Sequence, residues 1–154
     1  MIAFYVVADE YGFLCNFSSH GFMFGDLYWP TAEHYFQSQK FVGTEYEDRI
    51  RRARSPKEAK SLGQTRKLTL RTDWEDAKVD VMRRAVMAKF VAHDDLRAAL
   101  LDTRDEELVE ASPGDYFWGC GALGGGQNML GKILMETRRT LSKTAGRSTI
   151  SMDS

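Results

Sequence analysis

The chain has 154 residues, 43% of them apolar and 28% charged, with a formal net charge of −1. That size suits one domain whose core closes without disulfides or metals, and the balanced charge excludes a protein that grips nucleic acid by bulk basicity. No apolar run approaches the roughly 20 residues of a bilayer span, and the N-terminus lacks the cationic flank and long apolar run of a secretory signal, so a cytoplasmic protein without a membrane partner is expected.

In chain order, "AFYVVA" and "GFMFGDLYW" read as short extended runs, the second punctuated by Gly21 and Gly25. Pro30 favours an extended Trp29, and Thr31 is an acceptable N-cap for a helix through "TAEHYFQSQKFV", with Ala32, Tyr35, Phe36 and Gln39 on one face. "SPKEAKSLG" is a second helix: Ser55 as N-cap, Pro56 in the first turn, Glu58 completing a capping box and Gly63 as terminator. Asp73 and Asp94 are candidate caps for helices through "WEDAKVDVMRRAVMAKFVA" and "DLRAALLDT". "ELVEAS" reads as a short strand. A final helix at about 128–141 carries Leu130, Ile133, Leu134, Thr137 and Leu141 at core spacing. The fold class expected is α+β: a mainly helical single domain over 1–142 with a few short N-terminal strands, then a polar, aperiodic tail at 143–154 expected to lack order.

Cys15 and Cys120 are far apart, and His20, His34 and His93 are scattered, so neither a disulfide nor a metal site is expected. Gly119 to Gly124 spell G-x-G-x-x-G, the outline of a dinucleotide-binding turn. Such a turn needs a strand before it and a second strand with an acidic residue about 20 residues on. Only one helix and the tail follow here, so that reading fails. A weaker expectation survives: a glycine-rich loop entering a helix offers backbone N–H groups to a phosphate, with Gly119 and Gly121 permitting close approach. A plain connecting turn is the alternative.

Glu33, Gln37 and Lys40 fall within about 60° of one another on the helix after Pro30. At the margin of the apolar face they would line a cleft; the alternative is a solvated polar stripe. Asp115, among Tyr116, Phe117 and Trp118, is placed for proton transfer or is simply a turn aspartate after Pro-Gly. Trp74 and Trp118 suit stacking on a heterocycle or else core packing. Asn16 and Phe17 offer a polar reader and a ring beside it, or an ordinary turn.

The pieces "CNFSSHGFMFGDLYWPTAEHYFQSQKF", "AKSLGQ", "DWEDAKVDVMRRAVMAKF" and "LLDTRDEELVEASPGDYFWGCGALGGGQNMLGKILMETRRTL" occur in the order and at the spacing of one family. Over residues 3–141 the chain resembles the NADAR, or YbiA-like, family. Its sharpest segments are W-P-x-x-E-x-x-x-Q-x-x-K and E-x-S-x-x-D-x-x-W-G-x-G, followed by G-x-N-x-L-G. The resemblance implies an α+β fold and hydrolysis of N-glycosidic bonds. It implies small ribosyl phosphate or ADP-ribosyl substrates, namely riboflavin-biosynthesis intermediates, and also ADP-ribosylated guanine in nucleic acid. The site it implies is Asn16, Phe17, Glu33, Gln37, Lys40, Trp74, Asp115, Trp118, Gly119 and Asn128, to which the loop argument adds Gly121. One departure is Cys15, where many relatives carry serine. Glu33 and Asp115 are then candidate acid and base, and Lys40 either binds phosphate or attacks the sugar C1′ as an amine. No cofactor is implied, and nothing indicates an oligomeric state. The competing readings are a non-catalytic module that binds ADP-ribose or a nucleotide, and an interaction protein whose tryptophans are only core.

Overall fold

A computed structural model describes the backbone of residues 1–152 and the side chains through residue 146. In chain order it contains β1 (Ile2–Phe4), a 3-10 turn (Gly12–Leu14), β2 (Phe22–Phe24), β3 (Leu27–Trp29) and α1 (Ala32–Gln39). Then follow α2 (Glu45–Arg51), α3 (Pro56–Gly63), α4 (Trp74–Ala92), α5 (Asp94–Leu101), β4 (Leu108–Glu110) and α6 (Met129–Met152). The expected α+β class, mainly helical with a few short strands, is what is found. By its contacts the chain forms two compact units: Asn16–Ala92, and Met1–Cys15 with His93–Ser154. Among the described residues no helix is long and apolar enough to cross a membrane.

In the Asn16–Ala92 unit, β2 and β3 pair antiparallel, Phe22 with Trp29 and Phe24 with Leu27, across a two-residue turn. Gly25 there takes φ +59°, a conformation that favours glycine. Thr31 caps α1 as expected, its hydroxyl accepting from the His34 N–H at 3.1 Å. The imidazole of His34 is fully occupied in the core. A carbonyl can only accept, so Nε2 carries the ring proton and donates to the Ala53 carbonyl at 3.0 Å, while Nδ1 accepts from the Thr31 hydroxyl at 2.8 Å. α1 packs against α2, α3 and α4, which buries all eight of its residues. Phe41, Ile50, Ala53 and Ala59 close an adjoining cluster with Tyr46 and Leu62.

Ser55 caps α3 and Pro56 opens it, as expected. The reciprocal bond of the box is shifted by one residue, since Glu58 accepts from the Arg54 N–H at 3.2 Å. Helix α2 is not expected from apolar spacing; Thr44 caps it, and only Ile50 of its seven residues is buried. Helix α4 begins at Trp74, directly after Asp73 as expected, although Arg71 holds the Asp73 carboxylate at 2.6 and 2.9 Å.

In the other unit, β1 and β4 pair parallel, Ile2 with Leu108 and Phe4 with Glu110. A pairing between strands about a hundred residues apart leaves no local sequence signal. α6 lies on β4 and α5, with Leu130, Ile133, Leu134, Thr137 and Leu141 all buried as their spacing predicts. The α5 cap is His93, one residue before the expected Asp94. Helix α6 continues past 141, where its apolar stripe ends, to Met152. Extending an established helix adds one hydrogen bond per residue fixed and needs no new nucleus. The expected unordered tail at 143–154 runs into residues 153–154, which lie outside the described residues.

Candidate active site

The expected residues divide between the two units. Asn16, Phe17, Glu33, Gln37, Lys40 and Trp74 belong to Asn16–Ala92; Asp115, Trp118, Gly119, Gly121 and Asn128 belong to the other.

On α1 the polar stripe is not a solvated face. Glu33 is 7% exposed and Gln37 4%, and Lys40 is half-buried at the helix end. Short-chain acids and amides are rarely buried this deeply without a partner or a task. Gln37 Nε2 donates to Glu33 Oε1 at 2.8 Å. The Glu33 backbone N–H, one of the unsatisfied donors of the first helical turn, donates to the Asn16 carbonyl at 3.2 Å. Lys40 Nζ donates to the Gly63 carbonyl at 3.3 Å, and it lies 5.8 Å from the centroid of Phe36 and 6.0 Å from that of Trp74. Burial lowers the Lys40 ammonium from its ordinary value; the Glu33 carboxylate opposes that shift and the Lys60 charge adds to it. A buried acid and a poised amine thus share one helix face.

The remaining residues of this unit stand around that stripe. Trp74 is 6% exposed and tilted against Phe36, with ring centroids 5.2 Å apart, so its visible work is packing and shielding Lys40. Phe17 is half-buried with Lys60 Nζ 6.0 Å from its ring. Asn16 Nδ2 points to the sulfur of Met82 at 3.3 Å, a weak acceptor that a ligand would replace at little cost. Gly63, Phe36 and Lys60 were missed in the sequence. Gly63 reads there as a helix terminator, and nothing local shows what its backbone touches.

In the other unit the glycine loop does something different from the expectation. Asp115 Oδ1 accepts from the backbone N–H groups of Phe117 and Trp118, at 3.0 and 2.8 Å, so at this oxygen it is a turn aspartate. Trp118 is half-buried and meets Phe117 edge-on at 4.8 Å. The backbone N–H groups of Asn128, Met129 and Leu130 donate to the carbonyls of Gly119, Phe117 and Trp118. The expected phosphate-ready donors at the start of α6 are therefore already engaged by the loop itself. Asn128, at φ +51°, is engaged as well: its Oδ1 accepts from the Glu110 N–H and its Nδ2 donates to the Leu108 carbonyl, both at 2.9 Å. The amide serves as a strand partner along β4. Gly121 takes φ +73°, and a side chain there would run into the Tyr116 ring.

A surface depression of about 770 Å3 in this unit, lined among others by Tyr11, Phe13, Asp102 and Arg104, contains none of the expected residues. Among the described residues no three His, Cys, Asp or Glu side chains converge as a metal site.

A buried carboxylate, an amide held on it and a half-buried lysine near two aromatic rings thus stand together in the Asn16–Ala92 unit. The NADAR domain model matches residues 3–142, and the chain belongs to that family. The chain is 49% identical to an N-glycosidase of Nostoc punctiforme, covering 91% of this chain and 92% of that one. It is 45% identical to the N-glycosidase YbiA of Escherichia coli (92% and 89%), and 43% identical to the riboflavin biosynthesis protein PYRR of Zea mays, where it covers 94% of this chain but 26% of that longer one. The NMR structure of the E. coli protein YbiA superposes with a TM-score of 0.87 at 44% identity, covering 94% of this chain and 86% of that one. By these relatives the chain is a hydrolase acting on N-glycosyl bonds.

Proposed function

We propose that the chain cleaves the bond between ribose C1′ and a base nitrogen or amine in small phosphorylated ribosyl or ADP-ribosyl compounds. The observation that carries this reading is the buried Glu33–Gln37 pair with Lys40 one turn further along α1. Such cleavage develops positive charge on the sugar, and a carboxylate kept from water stabilises that charge more strongly than one in bulk solvent. The amide hydrogen bond from Gln37 fixes the orientation of the Glu33 carboxyl group, which suits it to this electrostatic task or to positioning water.

Lys40 is the nucleophile in this reading. Its lowered ammonium has a larger neutral fraction at neutral pH than an exposed lysine, because burial disfavours the charged form. The neutral amine bonds to C1′ as the C1′–N bond breaks and the leaving nitrogen takes a proton. The sugar ring opens to an imine on Lys40. Water then adds to C1′ and releases the sugar as its aldehyde, restoring the amine; the net reaction consumes one water.

The substrate class rests on the family and on relatives named for riboflavin biosynthesis. A riboflavin-pathway ribosyl phosphate and ADP-ribosylated guanosine, each incubated with the protein and followed by chromatography, test it. Release of free base or amine from either supports hydrolysis, and binding without release would make the protein a nucleotide-binding module instead. Borohydride added during turnover should trap a covalent adduct that Lys40→Ala abolishes. Turnover with no adduct would return Lys40 to phosphate binding.

A further inference from the structure

We propose that Gly63 is a positioning residue of this site, and that its missing side chain is the space in which the catalytic stripe of α1 is set. Gly63 closes α3, where a glycine is ordinarily read as the residue that lets the chain turn out of the helix. Its backbone does not require that. Gly63 is not among the residues with positive φ, and the following Gln64 has φ −91°. In a helical conformation glycine is about 1 kcal/mol worse than alanine. Local structure therefore argues for alanine here.

Contacts argue the other way. A Cβ on Gly63 would stand 2.1 Å from Gln37 Oε1 and 2.8 Å from both its Cβ and Cδ. Gln37 is fixed on a helix with every residue buried, so it has nowhere to retreat. The contact also explains an otherwise costly feature: Gln37 Oε1 is buried without a hydrogen-bond partner among the described residues. Turning the amide over would set Oε1 against a Glu33 carboxylate oxygen and remove the Nε2 donor from it. The amide keeps its donor on Glu33 and rests its acceptor against the bare Gly63 Cα. The same residue fixes the other end of the stripe, because the Gly63 carbonyl accepts from Lys40 Nζ. One glycine on α3 thereby sets both the amide that holds Glu33 and the nitrogen of Lys40.

This inference rests on the proposed roles of Glu33 and Lys40, and its test separates the two. Gly63→Ala is expected to fold with some loss of stability, because the gain in helix preference offsets only part of the crowding against Gln37, and to lower kcat by about 10-fold or more with little change in KM, the usual effect of displaced reacting groups. Lys40, losing part of its carbonyl partner, should titrate lower still, moving the rising limb of the pH–rate profile toward acid. Reductive methylation of Lys40 at a series of pH values, read by peptide mass spectrometry, should show the same acidward shift without any substrate. In a Gln37→Ala background, where the 2.1 Å Oε1 contact and the Cδ contact are gone and only the 2.8 Å contact with Cβ stays, the added penalty of Gly63→Ala should shrink. Wild-type kcat, pH profile and Lys40 labelling in Gly63→Ala would overturn the proposal. So would loss of activity with unshifted labelling and a full penalty in the Gln37→Ala background. If the wild-type protein releases no base from either substrate, the hydrolytic reading fails, while the labelling series still decides the role of Gly63.

Discussion

Glu33 and Gln37 differ from surface residues of the same type in one respect: water has been replaced around them by a fixed donor and by helix packing. Glu33→Gln keeps the shape and removes the charge, so the fold should persist while the rate falls by at least about 10²-fold, the scale of a lost catalytic carboxylate. Near wild-type turnover with either substrate would remove Glu33 from the mechanism. The proposed role of Lys40 carries its own pH dependence. Its folded-state value lies below the ordinary 10.5, so kcat should rise as pH increases through that lowered value and level off before 10.5. A rate that falls as Lys40 deprotonates would instead mark the ammonium, a phosphate ligand, as the working form. His34 supplies a purely structural counterpart. Burial lowers it from the ordinary 6.5, against the Ala53 carbonyl bond and the Glu58 charge, both of which raise it. Its contribution to stability is therefore complete above about pH 6.5 and is lost as pH falls toward the lowered folded value. Thermal melting between pH 7 and 5 should show that decline, and His34→Gln should flatten it. Stability that rises on acidification over this interval would contradict the assignment.

At the scale of elements, the sequence was most legible where a local rule decides the outcome. Thr31, Ser55 and Pro56 announce their helices by cap chemistry, and the Leu130-to-Leu141 spacing announces the buried face of α6. Helix α2 escaped because tertiary packing, not periodicity, selects it: one buried residue in seven leaves no apolar stripe to read. The site divides in the same way. The Glu33, Gln37 and Lys40 stripe is visible from helical spacing, but spacing cannot say whether a polar stripe faces water or protein. The long-range contacts of Gly63 and Asn128 left no local signal because their partners are distant in sequence, Gln37 and Lys40 for the first, Leu108 and Glu110 for the second. For Asn128 this has a measurable consequence. Asn128→Ala strands the Glu110 N–H and the Leu108 carbonyl and places alanine at a left-handed φ, so it should destabilise the protein by about 2–4 kcal/mol. Chemical denaturation measures that loss directly. A stable Asn128→Ala protein with a raised KM would instead restore Asn128 as a substrate ligand.

Taken as a whole molecule, the chain carries 21 basic and 22 acidic residues, which provides no general attraction for a polyanion. The two substrate types compatible with the proposed chemistry differ in this respect. A ribosyl phosphate or a mononucleoside ADP-ribose presents one to three charges to a few local groups. Salt then acts only by screening over roughly 8–10 Å, which a half-buried Lys40 feels weakly. A polynucleotide held along its backbone would release condensed counterions, and binding through six to ten phosphates would lose about 10³–10⁵ in affinity between 50 and 200 mM salt. The near-neutral surface therefore predicts that kcat/KM on the small substrates falls by less than about 10-fold over that range. It also predicts that appending nucleic acid to the modified base adds little to kcat/KM at 150 mM salt. Parallel salt titrations with ADP-ribosylated guanosine and with an oligonucleotide carrying the same modification make the comparison. A steep salt dependence confined to the oligonucleotide, with much tighter binding at low salt, would reveal a backbone-binding track and overturn the view that recognition ends at the ribosyl group and its base.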